Sequence, residues 1–512
     1  MKMGCRILWV LASALVLPAF GCNGGTPAAT PPVTPTPQPI NIAVVVDTTT
    51  KIVPSFTGFG VQWDPYSYPP SGADWTTTLA RLRYMQPSFF RMMSSASDYC
   101  LGFDESGTPI YVWQQGDAVA KQHLSQVFRM LDYAQANNIP VILGEWAWPS
   151  GLATPGAKPI AGPDDPRWAR IVSDYLHYLI TVKGYTVVKY YNLFNEPNGD
   201  WMWPKNTVPA NAFSLWSTGI ENLRADLNSE QLTSVSIIGP DNACFGPLQS
   251  DSGNWNWLNQ TAQSLPGNIG VWDAHWYAWA ADVQSDAVEQ TLRAEAGMLS
   301  TTDAHAAAKP RILGEAGMLD GKNSNDQNPN VQRFEYGVWM ADVGAQVARG
   351  GWTGASAWDL DDAMHSSGNS LKMWGFWNTY SAPGDPVQGI RPWFYTWSLM
   401  SRLFPQGAAI AKTSGGASQT GFRSVASTWT SSAQAYTAVM LVNDADVALN
   451  VTVTAASLGA GSLTEYRYFA TGAPADSNGF PVPEGASTKA DLTAGVVVNM
   501  PSRGVVFLVF EP

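Results

Sequence analysis

Two glutamates in this 512-residue chain are placed to do chemistry. Glu196 closes the run Tyr190-Tyr191-Asn192-Leu193-Phe194-Asn195-Glu196-Pro197-Asn198, in which strand-forming residues give way to an amide, a carboxylate and a proline. Proline has no N–H to donate and ends a buried strand. Glu315 stands in a matching setting, Pro310-Arg311-Ile312-Leu313-Gly314-Glu315-Ala316-Gly317. Two carboxyl groups cleave a glycosidic bond when one, protonated, donates to the leaving oxygen and the other, ionised, attacks or activates water. Sequence spacing gives no distance between the groups, so retention and inversion both stay open on the residues alone.

Other residues gather at predicted strand ends. Arg91 lies near the end of Ser88–Met93 and could hydrogen-bond Glu315, favouring its ionised form. Asn195 could offer its amide to a sugar 2-hydroxyl. His275 and Tyr277 alternate on one strand and share a face, Tyr277 to hold Glu315 and His275 to orient a carboxylate or hydroxyl. Trp358 offers a flat floor for a sugar ring. Trp146 and Trp148 follow the third strand as candidate substrate contacts, and Trp63, Asp64, Trp201, Trp203, Trp276, Trp279, Trp374 and Trp377 lie in similar places. Asp359, Asp361, Asp362 and His365 could meet sugar hydroxyls from the loop after the last strand. Glu145 repeats the Gly-Glu setting of Glu315; it is either a third acid or a buried partner of Arg91.

Eight strands are needed to bring these tips together. The candidates are Gly58–Trp63, Ser88–Met93, Val141–Trp146, Val188–Asn195, Val235–Pro240, Val271–Tyr277, Ile312–Ala316 and Ala355–Trp358. Helical periodicity fills the gaps over Ala73–Tyr84, Val119–Asn137, Pro166–Val182, Ala210–Leu227, Asp282–Leu299, Val331–Arg349 and Pro392–Leu403. The fifth crossover, Ser252–Thr261, is the weakest, crowded with Asn, Gly and Trp. This order predicts a (β/α)8 barrel over residues 56–404, with chemistry at the C-terminal ends of its strands. A doubly wound sheet also alternates, but it does not need chemistry at strand ends so far apart in the chain. Beyond residue 404 short alternating runs predict a β-sandwich over 405–512, joined by a strand in 40–55. It has no evident row of exposed aromatics, so covering the barrel is its expected role.

Residues 1–21 have the basic start and apolar run of an export signal, followed by Cys22 in a setting like a lipoprotein box; plain secretion is the alternative. Residues 22–39 are a Pro/Thr-rich tether. The formal charge of −12 leaves no basic stripe for nucleic acid. The 23 Trp suit a groove that stacks sugar faces, and five His are too few for a metal-dependent hydrolase. His123, His177 and His305 are expected to be structural. No later stretch is long and apolar enough to span a bilayer, so membrane contact is expected only through an N-terminal lipid. Cys100 and Cys244 fall in loops at one end of the barrel, where a disulfide is an open alternative.

Asn195-Glu196-Pro197, His275-Trp276-Tyr277, Gly314-Glu315 and Trp358, with Arg91, resemble the active-site set of glycoside hydrolase clan A. The pattern is similar to families 5 and 39, and the terminal sandwich is similar to that of families 30 and 51. The resemblance covers about residues 56–400. It implies a retaining two-glutamate enzyme without metal or other cofactor, with Glu196 as acid/base and Glu315 as nucleophile, acting on a β-linked carbohydrate. Export is expected from residues 1–21, and the expected state is a monomer. The third strand departs from the pattern, ending Gly144-Glu145-Trp146-Ala147-Trp148 rather than in a His or another polar residue. The alternative is a non-catalytic, carbohydrate-binding surface lipoprotein on the same scaffold.

Overall fold

The computed structural model describes residues 38–66, 69–115, 118–152, 158–365, 372–379 and 389–512. The expected signal and nearly all of the tether lie outside them.

Eight parallel strands close into a barrel: Gly58–Gln62, Phe90–Ser94, Val141–Glu145, Val188–Asn192, Ser236–Cys244, Ile269–Ala278, Arg311–Met318 and Gly354–Ala357. The eighth pairs back onto the first, Gly354 opposite Gly58. Phe89, Ile142, Ile238, Val271 and Ile312 cluster inside, while the alternate residues Val141, Leu143, Ile237, Trp272 and Leu313 pack outward among the helices. That is the two-residue period of a strand buried on both faces.

Helices cover the outside. Pro166–His177 begins on Pro at its first position, capped by the Asp165 carboxylate accepting from Arg167 N–H, and continues into a π turn over Tyr178–Val182. The weakly patterned fifth crossover does form a helix, Ser252–Ser264, because Trp255, Leu258, Thr261 and Ala262 keep one face buried. The stretch expected as one helix over Asp282–Leu299 is two, Ala280–Gln284 and Ala287–Thr302, broken where Asp286 takes a left-handed φ of 67°.

A second sheet of nine strands runs Thr488–Asp491, Ala460–Phe469, Gly504–Glu511, Gln434–Asn443, Phe422–Ser431, Ala409–Ser414, Ile40–Val53, Leu449–Thr454 and Val496–Met500. Its middle strands are apolar on both faces. Val505, Phe507 and Val509 join the barrel's core, whereas Val506, Leu508 and Phe510 join the core the sheet folds around itself. This accounts for the unbroken apolar run Val505–Phe510.

The disulfide alternative fails. Cys100 and Cys244 are both free and buried. Each lies in a strand rather than a loop, Cys100 in the hairpin strand Cys100–Phe103 and Cys244 at the end of the fifth barrel strand. Burial pushes the Cys100 thiol up to about 11 and that of Cys244 well above its ordinary value, which leaves both unreactive.

Candidate active site

A cavity of about 590 Å³ opens at the strand ends, with Trp146, Glu196, Trp201, Tyr277, Glu315 and Trp358 among its walls. Two bulges aim the groups beneath it. On strand five Pro240 pairs with Asp273 and Asn242 with Ala274, so Asp241 is one residue too many; it takes a left-handed φ of 61°. On strand seven Leu313 pairs with Ala274 and Glu315 with His275, so Gly314 is the extra residue. A Cβ at Gly314 would sit 2.6 Å from the Asp273 carboxylate, whose Oδ1 accepts from the Gly314 N–H at 2.7 Å. Only glycine fits there.

Arg91 is fully buried below the cavity. Its Nη1 donates to Gln62 Oε1 at 2.8 Å and to Glu315 Oε1 at 2.7 Å, and its Nη2 donates to Asn195 Oδ1 at 2.7 Å and Asp241 Oδ2 at 2.9 Å. With Oδ1 thus occupied, the Asn195 amide presents its NH₂ toward the cavity it lines. His275 is also fully buried, with Nδ1 3.0 Å from Glu196 Oε1 and 3.6 Å from Glu315 Oε2, and Nε2 2.9 Å from Asp241 Oδ1. The Tyr277 hydroxyl donates to Glu315 Oε2 at 2.6 Å. Glu196 lies beyond strand four with φ 45°, in a sparsely populated region held by its N–H on Asp241 O (3.1 Å) and its own carbonyl accepting from Gly199 N–H (2.9 Å). The Trp201 indole N–H donates to Glu196 Oε2 at 2.8 Å.

The electrostatics follow from this packing. Burial opposes charge on Asp241, but Arg91 and His275 more than offset it and hold Asp241 well below the carboxylate range. Burial and Asp241 push Asp273 well above that range, so it stays a neutral acid beside an ionised neighbour. Burial also opposes charge on His275, yet the carboxylates of Asp241 and Glu315 raise it well above an ordinary imidazole. Glu315 is raised by burial, with His275 and Arg91 pulling the other way. Glu315 accepts from a guanidinium that can only donate and from a phenol whose own proton burial holds firmly, as suits the ionised form. Carboxylate and imidazole atoms of Glu196, His275 and Glu315, and likewise of Asp241, Asp273 and His275, lie close enough to hold a cation. Arg91, on both Glu315 and Asp241, already supplies positive charge there.

Several expected contacts are relocated. Arg91 and His275 keep their expected partners, Arg91 on Glu315 and His275 on Glu196, but from beneath the cavity rather than on its wall. Trp148 is packed against Phe194 and Trp203 and only 7% exposed, because the chain turns inward after Trp146. Trp63, Trp203, Trp276 and Trp377 are core residues, whereas Trp146, Trp201, Trp358 and Trp374 do line the cavity. Glu145 is neither a third acid of the cavity nor a partner of Arg91: it is sealed behind the barrel wall, taking hydroxyl hydrogen bonds from Tyr99 and Tyr191. Of the loop acids, Asp359, Asp361 and Asp362 are buried, and only His365 reaches the cavity, stacked on Trp358 at 5.2 Å. His123, His177 and His305 stand outside the cavity walls, each beside one carboxylate.

Gln62, Asp241 and Asp273 were not anticipated. Asp273 had a signal, since it alternates with His275 and Tyr277 and so must share their face. Asp241 had none, because Pro240 reads as the end of its strand.

No family model and no curated protein sequence matches the chain. Solved structures do. A glycoside hydrolase family 30 subfamily 8 xylanase, Xyn30A from Clostridium acetobutylicum, superposes with a TM-score of 0.60 at 14% identity, covering 92% of this chain and 100% of the xylanase. A glucosidase from Croceicoccus marinus gives 0.60 at 11%, over 92% and 99%. An α-L-arabinofuranosidase from Thermotoga maritima gives 0.59 at 12%, over 92% and 100%. The shared feature is the fold. Barrel and sheet together match nearly the whole length of each of these proteins.

Proposed function

We propose that the chain is a retaining β-glycosidase that cleaves a β-linked oligo- or polysaccharide by double displacement. One observation carries the reading: an oxygen of Glu196, an oxygen of Glu315 and a His275 nitrogen lie within 4.8 Å of one another at a single cavity. Retaining pairs stand about 5–5.5 Å apart and inverting pairs about 6.5–9.5 Å, so this spacing supports retention. Superposition on a xylanase, a glucosidase and an arabinofuranosidase agrees with the class.

In the first step Glu315 attacks the anomeric carbon, forming a carbon–oxygen ester bond, while Glu196 gives its proton to the departing glycosidic oxygen. In the second, Glu196 takes a proton from water, whose oxygen bonds to the same carbon and releases Glu315. Arg91 and Tyr277 hold the attacking oxygens in place. His275 and Trp201 fix the two oxygens of Glu196. The Asn195 amide faces the ring where charge develops, and Trp358 supplies an apolar wall. Action as a monomer is part of the proposal. Export, with a lipid on Cys22, completes the reading; labelling with radioactive palmitate, lost in Cys22→Ala, checks that part.

The test is hydrolysis of aryl β-glycosides and β-linked polysaccharides by wild type, Glu196→Gln and Glu315→Gln. Both variants should lose about 10³-fold or more on unactivated substrates. Glu196→Gln should keep most of its residual rate where the leaving group is good, since acid assistance matters least there. Wild-type rates in both variants would defeat the proposal.

A further inference from the structure

The wall between the loops after strands seven and eight carries charge that the double displacement does not use. Lys322, Asp326 and Lys372 all line the cavity. Lys372 Nζ donates to Asp326 Oδ2, and Lys322 Nζ lies 3.5 Å from Asp326 Oδ1. One carboxylate is thus shared by two ammonium groups, and the trio carries a net positive charge. Its members stay open to solvent, with side chains 38%, 36% and 46% exposed for Lys322, Lys372 and Asp326. The trio is fixed against the floor: the Trp374 indole N–H donates to Asp326 O at 3.0 Å, and the Trp374 ring meets Tyr277 edge-on at 5.4 Å. Tyr277 in turn holds Glu315. The cations therefore lie one aromatic ring from Glu315's partner, in a cavity whose other carboxylates, Glu196 and Glu315, would repel an anion.

A neutral sugar can accept hydrogen bonds from two ammonium groups but offers no charge to match theirs, and a chain with a net charge of −12 does not gather lysines by composition. We infer, resting on the glycosidase reading, that the cavity accepts a sugar unit bearing an anionic group, a carboxylate or a sulfate ester. Lys322 and Lys372 read that charge, and Asp326 holds them apart from Glu196 and Glu315 until it arrives. Charge complementarity of this kind selects partners more than it adds affinity.

The experiment compares an oligosaccharide containing a uronic acid with the same compound after reduction of the carboxyl to an alcohol, and with its O-sulfated form. Calorimetric binding and kcat/KM are both read, in low salt. Wild type should prefer the charged forms, and which of the two it prefers identifies the anion. Lys322→Met and Lys372→Met should each cut that preference about fivefold, as for partly exposed ion pairs. Asp326→Asn should raise it, because both lysines are freed. If the lysines only brace the two loops, Lys→Met and Asp326→Asn shift charged and reduced substrates alike, and the inference falls. Tighter binding of the reduced form by wild type overturns it too. Failure of the glycosidase reading looks different: binding follows charge while no substrate is turned over.

Discussion

Strands three and seven carry the same dipeptide, Gly144-Glu145 and Gly314-Glu315, and put it to opposite uses. On strand three the alternation is unbroken: Ile142 points into the barrel, Leu143 out, and Glu145 therefore out. There it meets the Tyr99 and Tyr191 hydroxyls and the Trp168 indole, and burial pushes it up to about 8. On strand seven Ile312 points in and Leu313 out, which would send Glu315 out as well. The bulge at Gly314 adds one residue against both neighbouring strands and turns Glu315 inward, onto Arg91 and Tyr277. A slip of one position reverses the face of every side chain after it. The environment, rather than the carboxyl group or its preceding glycine, separates a neutral structural acid from a candidate nucleophile.

This contrast can be broken from either side. The largest effect is expected at Arg91. Arg91→Met should lower kcat by about 10²–10³-fold, as for loss of a buried electrostatic partner, and destabilise the fold by about 3–5 kcal/mol by stranding Asp241. Arg91→Lys should recover part of the stability and little of the rate, because an ammonium cannot span four acceptors. Urea unfolding and steady-state kinetics measure the two losses separately. Next, Gly314→Ala should cost about 10²-fold in kcat, the effect of moving a reacting group by about 1 Å, with a smaller change in KM. Tyr277→Phe should cost about tenfold. Its hydroxyl lowers the Glu315 pKa against burial, so the acidic limb of kcat/KM should move to higher pH in this variant.

The smallest effect on rate belongs to Glu145→Gln, expected to stay within about twofold because the residue never meets substrate. Its signature is in stability. The folded-state pKa is raised, so between pH 5 and pH 8 the unfolded chain releases this proton while the folded chain keeps it. Wild type therefore loses stability as pH rises through that window. Glu145→Gln removes the dependence and should gain on wild type by on the order of 3 kcal/mol from pH 5 to pH 8, read from urea midpoints.

The barrel was legible because most of its strands carry short apolar runs buried on both faces, and because Asn195-Glu196-Pro197 and His275-Trp276-Tyr277 mark strand ends by composition. What stayed hidden is what depends on bulges. Pro240 looked like a terminus, yet proline is tolerated at a bulge, and the strand runs on through Asp241 to Cys244. Trp148 looked like a sugar platform because tryptophan serves cores and clefts equally; only the turn after Trp146 decides which. Lys322 and Lys372, in two loops with no periodicity, have no signal in sequence that would join them.

The strand Ile40–Val53 lies well inside the outer sheet, between Ala409–Ser414 and Leu449–Thr454. A ribosome makes this strand before the whole barrel and its partners only after it. Until those partners are made both of its edges lack a neighbour, and the outer sheet cannot close until the last quarter of the chain arrives.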